Sequence, residues 1–180
     1  MIIVIVNGTS QVGKDKFVSY VKEVSDFRVK NLSSVDKVKS VAELCFGWDG
    51  KKEERSRKFL SDLKRIWSEY NDGPFNDIID KIKVDTDYCV KNNKDTRINV
   101  YFVHIREPQE IDKLKKFYGN LCLTLLVKKE VEFIPNNDSD MNVENYEYDI
   151  IIDNNSDEKD LKKKSRDFSK KLKKLLKKSC

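Results

Sequence analysis

Met1-Ile2-Ile3-Val4-Ile5-Val6-Asn7-Gly8-Thr9-Ser10-Gln11-Val12-Gly13-Lys14-Asp15-Lys16 is the stretch that decides the fold. Ile2 to Val6 is an apolar, β-branched run of the length of a buried strand, and it stops at Asn7. Gly8, four further residues, Gly13 and Lys14 follow, and Asp15 opens a segment of helical periodicity. The order is strand, phosphate-cradling loop, helix. Gly8 permits a sharp turn out of the strand, and Gly13 lets the backbone come close to phosphate oxygens. Successive N–H groups can then face an anion, with Lys14 as the point charge on the terminal phosphates. The whole chain holds only six glycines, so this spacing directly behind a strand is a rare coincidence. Gly8, Thr9, Ser10, Gln11, Val12, Gly13, Lys14, Asp15 and Lys16 therefore form the candidate nucleotide-phosphate site.

Around this loop the composition describes one folded domain. The 180 residues are 37% charged and 38% hydrophobic, and the apolar residues fall in clear segments beneath a highly charged surface. Cys45, Cys89, Cys122 and Cys180 form no CxxC pair, and His104 is the lone histidine, so no zinc site fits the usual spacings. Reduced thiols, the absence of a signal-like segment and the absence of a membrane-length apolar run lead us to expect a cytoplasmic protein. The net charge of +5 is uneven: Asp157 to Cys180 carries ten lysines and one arginine against four acids, a surplus of +7, which leaves −2 for the rest.

Further along, Asp15–Val24 reads as a helix, with Phe17, Val18, Tyr20, Val21 and Val24 on its apolar face. Phe27–Leu32 reads as a short strand. Val35–Phe46 reads as a helix with Val38, Val41, Ala42 and Cys45 inward. Lys52–Tyr70 is a long helix, apolar at Phe59, Leu60, Leu63, Ile66, Trp67 and Tyr70, and Asn71-Asp72-Gly73-Pro74 ends it. Phe75–Val84 suits another helix. Ile98–Ile105 is a central strand, Pro108–Tyr118 a helix, Leu121–Val127 a buried strand, and Asp149–Ile152 the last strand. Glu130–Tyr148 is acidic and without period, a loop or flap. Asp157–Lys178 is the last helix. Strands separated by helices predict an α/β/α sandwich on a central parallel sheet, with the ligand at the strands' carboxyl ends.

Three segments carry a family resemblance. Gly13-Lys14-Asp15, Val103-His104-Ile105-Arg106-Glu107-Pro108-Gln109-Glu110 and Tyr148-Asp149-Ile150-Ile151-Ile152-Asp153-Asn154 together resemble the P-loop kinases that phosphorylate small monophosphates. The patterns most similar are those of phage-type deoxynucleoside monophosphate kinases and animal-type phosphomevalonate kinases, which carry Gly-Lys-Asp in the loop. The resemblance implies a P-loop NTPase-type, three-layer α/β/α domain over 1–180. Within it, 35–84 would be a helical acceptor-binding region, 128–148 a lid and 157–180 a basic terminal helix. It also implies ATP and Mg²⁺ as cofactors, a small-molecule phosphate acceptor, and Asn154 on the adenine side.

The departures from the pattern bear on catalysis. Lys16 stands where the family has Thr or Ser, so metal binding by a loop hydroxyl is lost. Asp15 remains, either holding Mg²⁺ through water or serving as a first-turn carboxylate at the positive end of the helix dipole. His104 stands at the family's strand-end acid, which would leave Glu107 or Asp153 to substitute. The flap holds Lys128 and Lys129 and no arginine. Phosphoryl transfer rests on positioning and charge neutralisation, so a missing clamp is costly.

Arginines from elsewhere are therefore expected in the site. Arg106, at a strand's carboxyl end, is the candidate catalytic cation beside Lys14. Arg55 and Arg65, on the long helix with Arg57, Lys58 and Lys64, are the candidate acceptor-binding cations; each of these is equally readable as a solvated helix face. Trp48, Trp67 and Tyr70 read as core rather than base-stacking residues. Asn92-Asn93-Lys94-Asp95 has the wrong spacing and place for a guanine-reading motif. The terminal helix, with Leu161, Phe168, Leu172, Leu175 and Leu176 on one side, is expected to dock on the sheet, so nucleic acid is not expected as a partner. The function these residues imply is an ATP-dependent phosphotransferase acting on a (deoxy)nucleoside monophosphate or similar phosphate ester. The alternative is a nucleotide-binding module with weak or no catalysis.

Overall fold

The computed structural model describes residues 1–51, 53–92, 97–130, 143 and 145–178, the side chains of 92, 177 and 178 excepted. In chain order the elements are β1 (Ile2–Asn7), α1 (Lys14–Val24), β2 (Arg28–Ser33), α2 (Asp36–Phe46), α3 (Glu54–Asn71) and α4 (Gly73–Asn92). They continue with β3 (Asn99–His104), α5 (Pro108–Tyr118), a 3₁₀ turn (Gly119–Leu121), β4 (Cys122–Lys128), β5 (Ile150–Asp153) and α6 (Glu158–Lys178). Contacts divide the chain into two compact units, Met1–Asn31 with Arg97–Cys180, and Leu32–Thr96.

The first unit is built on a five-stranded sheet of order β2-β3-β1-β4-β5. β1 lies between β3 and β4 and runs parallel to both, Val4 opposite Phe102 and Leu123, and β4 runs parallel to β5. This explains why β1 is apolar at every position from Ile2 to Val6: both its faces are covered, and all six of its residues are buried. Ile2, Val4 and Val6 point to one face. There they meet Phe17, Val18 and Val21 of α1, Phe102 of β3, and Leu161, Phe168 and Leu172 of α6 in one core cluster. Phe168 sits edge-on to Phe17, ring centroids 5.4 Å apart. Ile3 and Ile5 point to the other face, which is the side of α5. That helix packs on β4 and turns Ile111 and Leu114 inward.

The α/β/α layering follows from crossover handedness. The connection from β1 through α1 leads to β2 on one side, and that from β3 through α5 leads to β4 on the other. With right-handed crossovers, α1 and α5 must lie on opposite faces. β1 and β3 are neighbours whose connections leave in opposite directions, so their carboxyl ends form the topological switch point where α/β sheets bind ligands.

The second unit is a layer of three helices. Phe46 of α2 and Phe59 of α3 meet edge-on at 5.4 Å. Asp72, in the left-handed conformation (φ 56), ends α3, and Gly73 starts α4 at once. The Trp67 indole packs onto Gly73 so closely that an added Cβ would lie 1.9 Å from its nitrogen.

Several sequence expectations need correction here. Cys45 is exposed rather than inward. Ile66 and Tyr70, expected on the buried face of α3, are 56% and 84% exposed. The helix expected over Phe75–Val84 runs from Gly73 to Asn92, carrying Val84 and Val90 into exposed positions. α6 continues as helix past Leu172 to Lys178, with Leu176 packed against the core. Most of the expected 128–148 flap, and most of the rejected Asn92–Asp95 motif, lie outside the described residues.

Candidate functional site

The loop from Gly8 to Gly13 leaves the carboxyl end of β1, at the switch point. Gly8 has φ 145, and a Cβ built on it would lie 2.2 Å from the Val127 carbonyl oxygen. Gly13 has φ 95, and its Cβ would lie 2.5 Å from the Asn154 side-chain nitrogen. Both positions thus demand glycine twice over, by backbone conformation and by close approach. Gln11 also has positive φ, 63, so the loop curls through conformations that aim successive N–H groups one way. Asn154, just past β5, donates its amide to the Val12 carbonyl at 2.9 Å and braces the loop from the α6 side. The sequence placed Asn154 on the adenine side; loop bracing is a use that only the tertiary structure reveals.

Lys14 opens α1 and folds back over the loop. Its ammonium donates to the carbonyls of Gly8 at 2.6 Å and Thr9 at 2.5 Å. The Gly8 N–H donates to Asn7 Oδ1 at 2.8 Å, which withdraws it from the expected cradle. The remaining candidate donors begin at Thr9.

Asp15, next in α1, is 88% exposed and lies 3.6 Å from the ring of His104, whose side chain is 14% exposed at the end of β3. The same His104 nitrogen, Nε2, is 2.7 Å from Asn31 Oδ1, which fixes the ring. The two positions at which this chain bears on the expected metal chemistry, Asp15 in the loop and His104 at the strand end, therefore face each other. Among the described residues no group of three or more His, Cys, Asp or Glu side chains is placed to hold a metal ion. An exposed carboxylate such as Asp15 suits Mg²⁺, which keeps several waters and takes few protein ligands.

Lys16 points elsewhere. Its ammonium is 3.0 Å from Glu158 at the start of α6 and 5.7 Å from the centre of the Tyr20 ring. The Tyr20 hydroxyl donates to the other Glu158 oxygen, and these two partners hold the Glu158 carboxyl below the usual carboxylate range. The pair fastens α1 to α6 behind the loop.

Arg106 lies two residues past the end of β3, and its carbonyl accepts from Asn7 Nδ2 at 3.1 Å. The loop, Arg106 and Asn154 all belong to the first unit. Arg55 and Arg65 belong to the second. Arg55 is exposed at the start of α3, and Arg65 donates to both oxygens of Glu69, one turn on, at 3.0 and 3.1 Å. Lys64, by contrast, is buried, at 7% exposure.

A cleft of about 530 Å³ opens on the α5 side, lined by Lys115, Tyr146, Glu147, Tyr148 and Asp149. Its polar groups are bound locally. Asp149 accepts from the Thr124 N–H at 2.7 Å and its hydroxyl at 2.8 Å, and the Tyr146 hydroxyl donates to Asp112 at 2.6 Å. Burial and the Asp112 carboxylate push the Tyr146 phenol up from its ordinary value.

No protein-family model matches this chain, and no curated protein matches it. Among solved structures it is similar to a sugar kinase from a Janibacter species, with 13% identity, TM-score 0.49 and 92% of each chain covered. It is also similar to a gluconokinase from Sinorhizobium meliloti, with 11% identity and TM-score 0.52, over 99% of this chain and 97% of that one. The chain shares with that gluconokinase its α/β fold, a parallel five-stranded sheet flanked by helices. Within that fold, Gly8, Gly13 and Lys14 stand in the loop between the central strand and the helix that follows it. Among the described residues, no helix is long and apolar enough to cross a membrane.

Proposed function

We propose that this protein is an ATP-dependent phosphotransferase whose acceptor is a (deoxy)nucleoside monophosphate or a similar small phosphate ester. The observation that carries the reading is the glycine-framed loop at the switch point with the Lys14 ammonium folded across it, 2.6 Å from the Gly8 carbonyl. A Cβ at Gly8 would strike the Val127 carbonyl and one at Gly13 the Asn154 amide, so the loop holds its curl only with glycine at both positions, as a loop that brings its backbone close to phosphate oxygens needs.

ATP would supply the phosphoryl group and Mg²⁺ would neutralise its oxygens. Lys14 would exchange its two carbonyl partners for the β- and γ-phosphates, and the N–H groups from Thr9 to Asp15 would orient them. Asp15 would hold Mg²⁺ through water. Arg106, just past the carboxyl end of β3, would neutralise the transferring group. A phosphate acceptor is already ionised, so no general base is required of these residues.

The second reading, a nucleotide-binding module with weak catalysis, is favoured by one feature: the strand-end position that supplies an acid in such kinases is His104, fixed to Asn31. Incubation with Mg-ATP and a panel of nucleoside monophosphates and small phosphate esters separates the two. Gluconate belongs in the panel because of the gluconokinase likeness. Diphosphate product supports the first reading. Tight ATP binding without product from any acceptor supports the second, and absence of both ATP binding and product rejects both.

A further inference from the structure

Asn7 closes β1 and is 1% exposed. A buried amide is costly unless its donors and acceptor are used, and an apolar residue would continue the strand at no such cost. Asn7 uses both ends. Its Oδ1 accepts from the Gly8 N–H at 2.8 Å, and its Nδ2 donates to the Arg106 carbonyl at 3.1 Å and to the Tyr148 hydroxyl oxygen at 2.8 Å. The Tyr148 hydroxyl in turn donates to the Val143 carbonyl at 2.7 Å. The arrangement runs in one direction. A backbone N–H and a backbone carbonyl fix which end of the amide points where, and the Tyr148 proton is committed to Val143. Segments 99 and 141 residues away in sequence thus meet the root of the phosphate loop on a single side chain.

We infer that Asn7 is a positioning residue, coupling the Val143–Tyr148 segment to the phosphate loop and to the backbone that carries Arg106. The inference rests on the phosphate-site reading above. Asn7 removes the Gly8 N–H from the anion's reach, so the loop starts its curl at a fixed point, and it pins the chain at Arg106 from the same atom group. A shift of Tyr148 is then felt in the loop, and by linkage phosphate binding in the loop steadies Tyr148.

Tyr148→Phe keeps the ring and deletes only the hydroxyl; Asn7→Ala deletes the whole junction. Loss of one such bond corresponds to about a three- to tenfold effect. We expect Tyr148→Phe, in the ligand-free protein, to shift the Gly8 and Arg106 amide resonances and to speed Gly8 amide exchange about tenfold. We expect ATP affinity to fall about three- to tenfold with the melting temperature within about 3 °C. Asn7→Ala should do at least as much, and the double variant no more than Asn7→Ala alone. Unchanged Gly8 and Arg106 amides in Tyr148→Phe, or strictly additive effects in the double variant, would overturn the coupling. A parent protein that binds no ATP would overturn the phosphate-site reading instead, and the ligand-free amide measurements would still decide the coupling.

Discussion

Replacing Lys14 with alanine tests the centre of the reading. In the free protein the ammonium makes two hydrogen bonds, to the Gly8 and Thr9 carbonyls. Both hydrogen bonds are part-buried, so water can enter the space the shortened side chain vacates, and the lysine stem leaves no apolar cavity. The cost to the fold is therefore no more than about 1 kcal/mol, or about 2–4 °C in melting temperature for a chain of this size. With a triphosphate in the loop, the same truncation removes charge-assisted contacts to anionic oxygens, worth about 1.5–3 kcal/mol. ATP affinity should then fall about ten- to 150-fold, the same free energy expressed as a ratio. Calorimetric titration with ATP, beside a thermal melt of each variant, separates the two quantities. A dissociation constant within twofold of the parent, in a variant that melts normally, would mean that the loop is not a phosphate site.

Gly8→Ala should cost at least about 2 kcal/mol, because the new Cβ meets a backbone oxygen at 2.2 Å and no side chain can swing away. Gly47→Ala, also at positive φ but with nothing within 4 Å, should cost only about 1 kcal/mol; equal melting temperatures for the two would refute the steric argument. His104→Asp puts a second carboxylate beside Asp15, and the two repel until a cation lies between them. ADP binding should therefore become more Mg²⁺-dependent than in the parent, which titrations with and without the ion would reveal. Burial pushes the Cys122 thiol up to about 12, so at pH 8 it should resist alkylation while exposed Cys45 reacts, as peptide mass mapping would show. The sign for stability follows: with the folded value above the unfolded one, the contribution of Cys122 is complete below about pH 9 and is lost as pH rises towards 12.

What could be read from the chain was what local chemistry encodes. β1 and the turn after it were legible because a fully buried parallel strand is apolar at every position and a tight, closely packed turn at positive φ requires glycine. α5 was legible to the residue, since Pro108 opens it and Gly119 follows its end. α4 was cut short at Val84 because Asp85, Thr86 and Asp87 break the apolar period, although the helix continues through them. On α3 the sequence offers more apolar residues than its packing uses, so Ile66 and Tyr70 were assigned to a buried face they do not occupy. Periodicity describes a helix's own stripe and not the extent of what covers it. The functions of Asn7, Lys16 and Asn154 were illegible for another reason. Their partners, Tyr148, Glu158 and the Val12 carbonyl, lie more than 130 residues away, and no local pattern records such a pairing.

The docking of α1 on α6 has a consequence for how this protein is made. The helix that opens with Lys14 buries Phe17 against Phe168, and the Phe17 carbonyl accepts from Ser165, 148 residues downstream. At the usual pace of about 5–20 residues per second, the ribosome needs roughly 7–30 s to deliver that partner. Through that interval the side of α1 that packs on α6 lacks its native cover, and β1 waits likewise for β3 and β4. The loop at the head of α1 therefore gains the support of α6 only after 148 further positions have been translated, which makes its final shape a late product of synthesis.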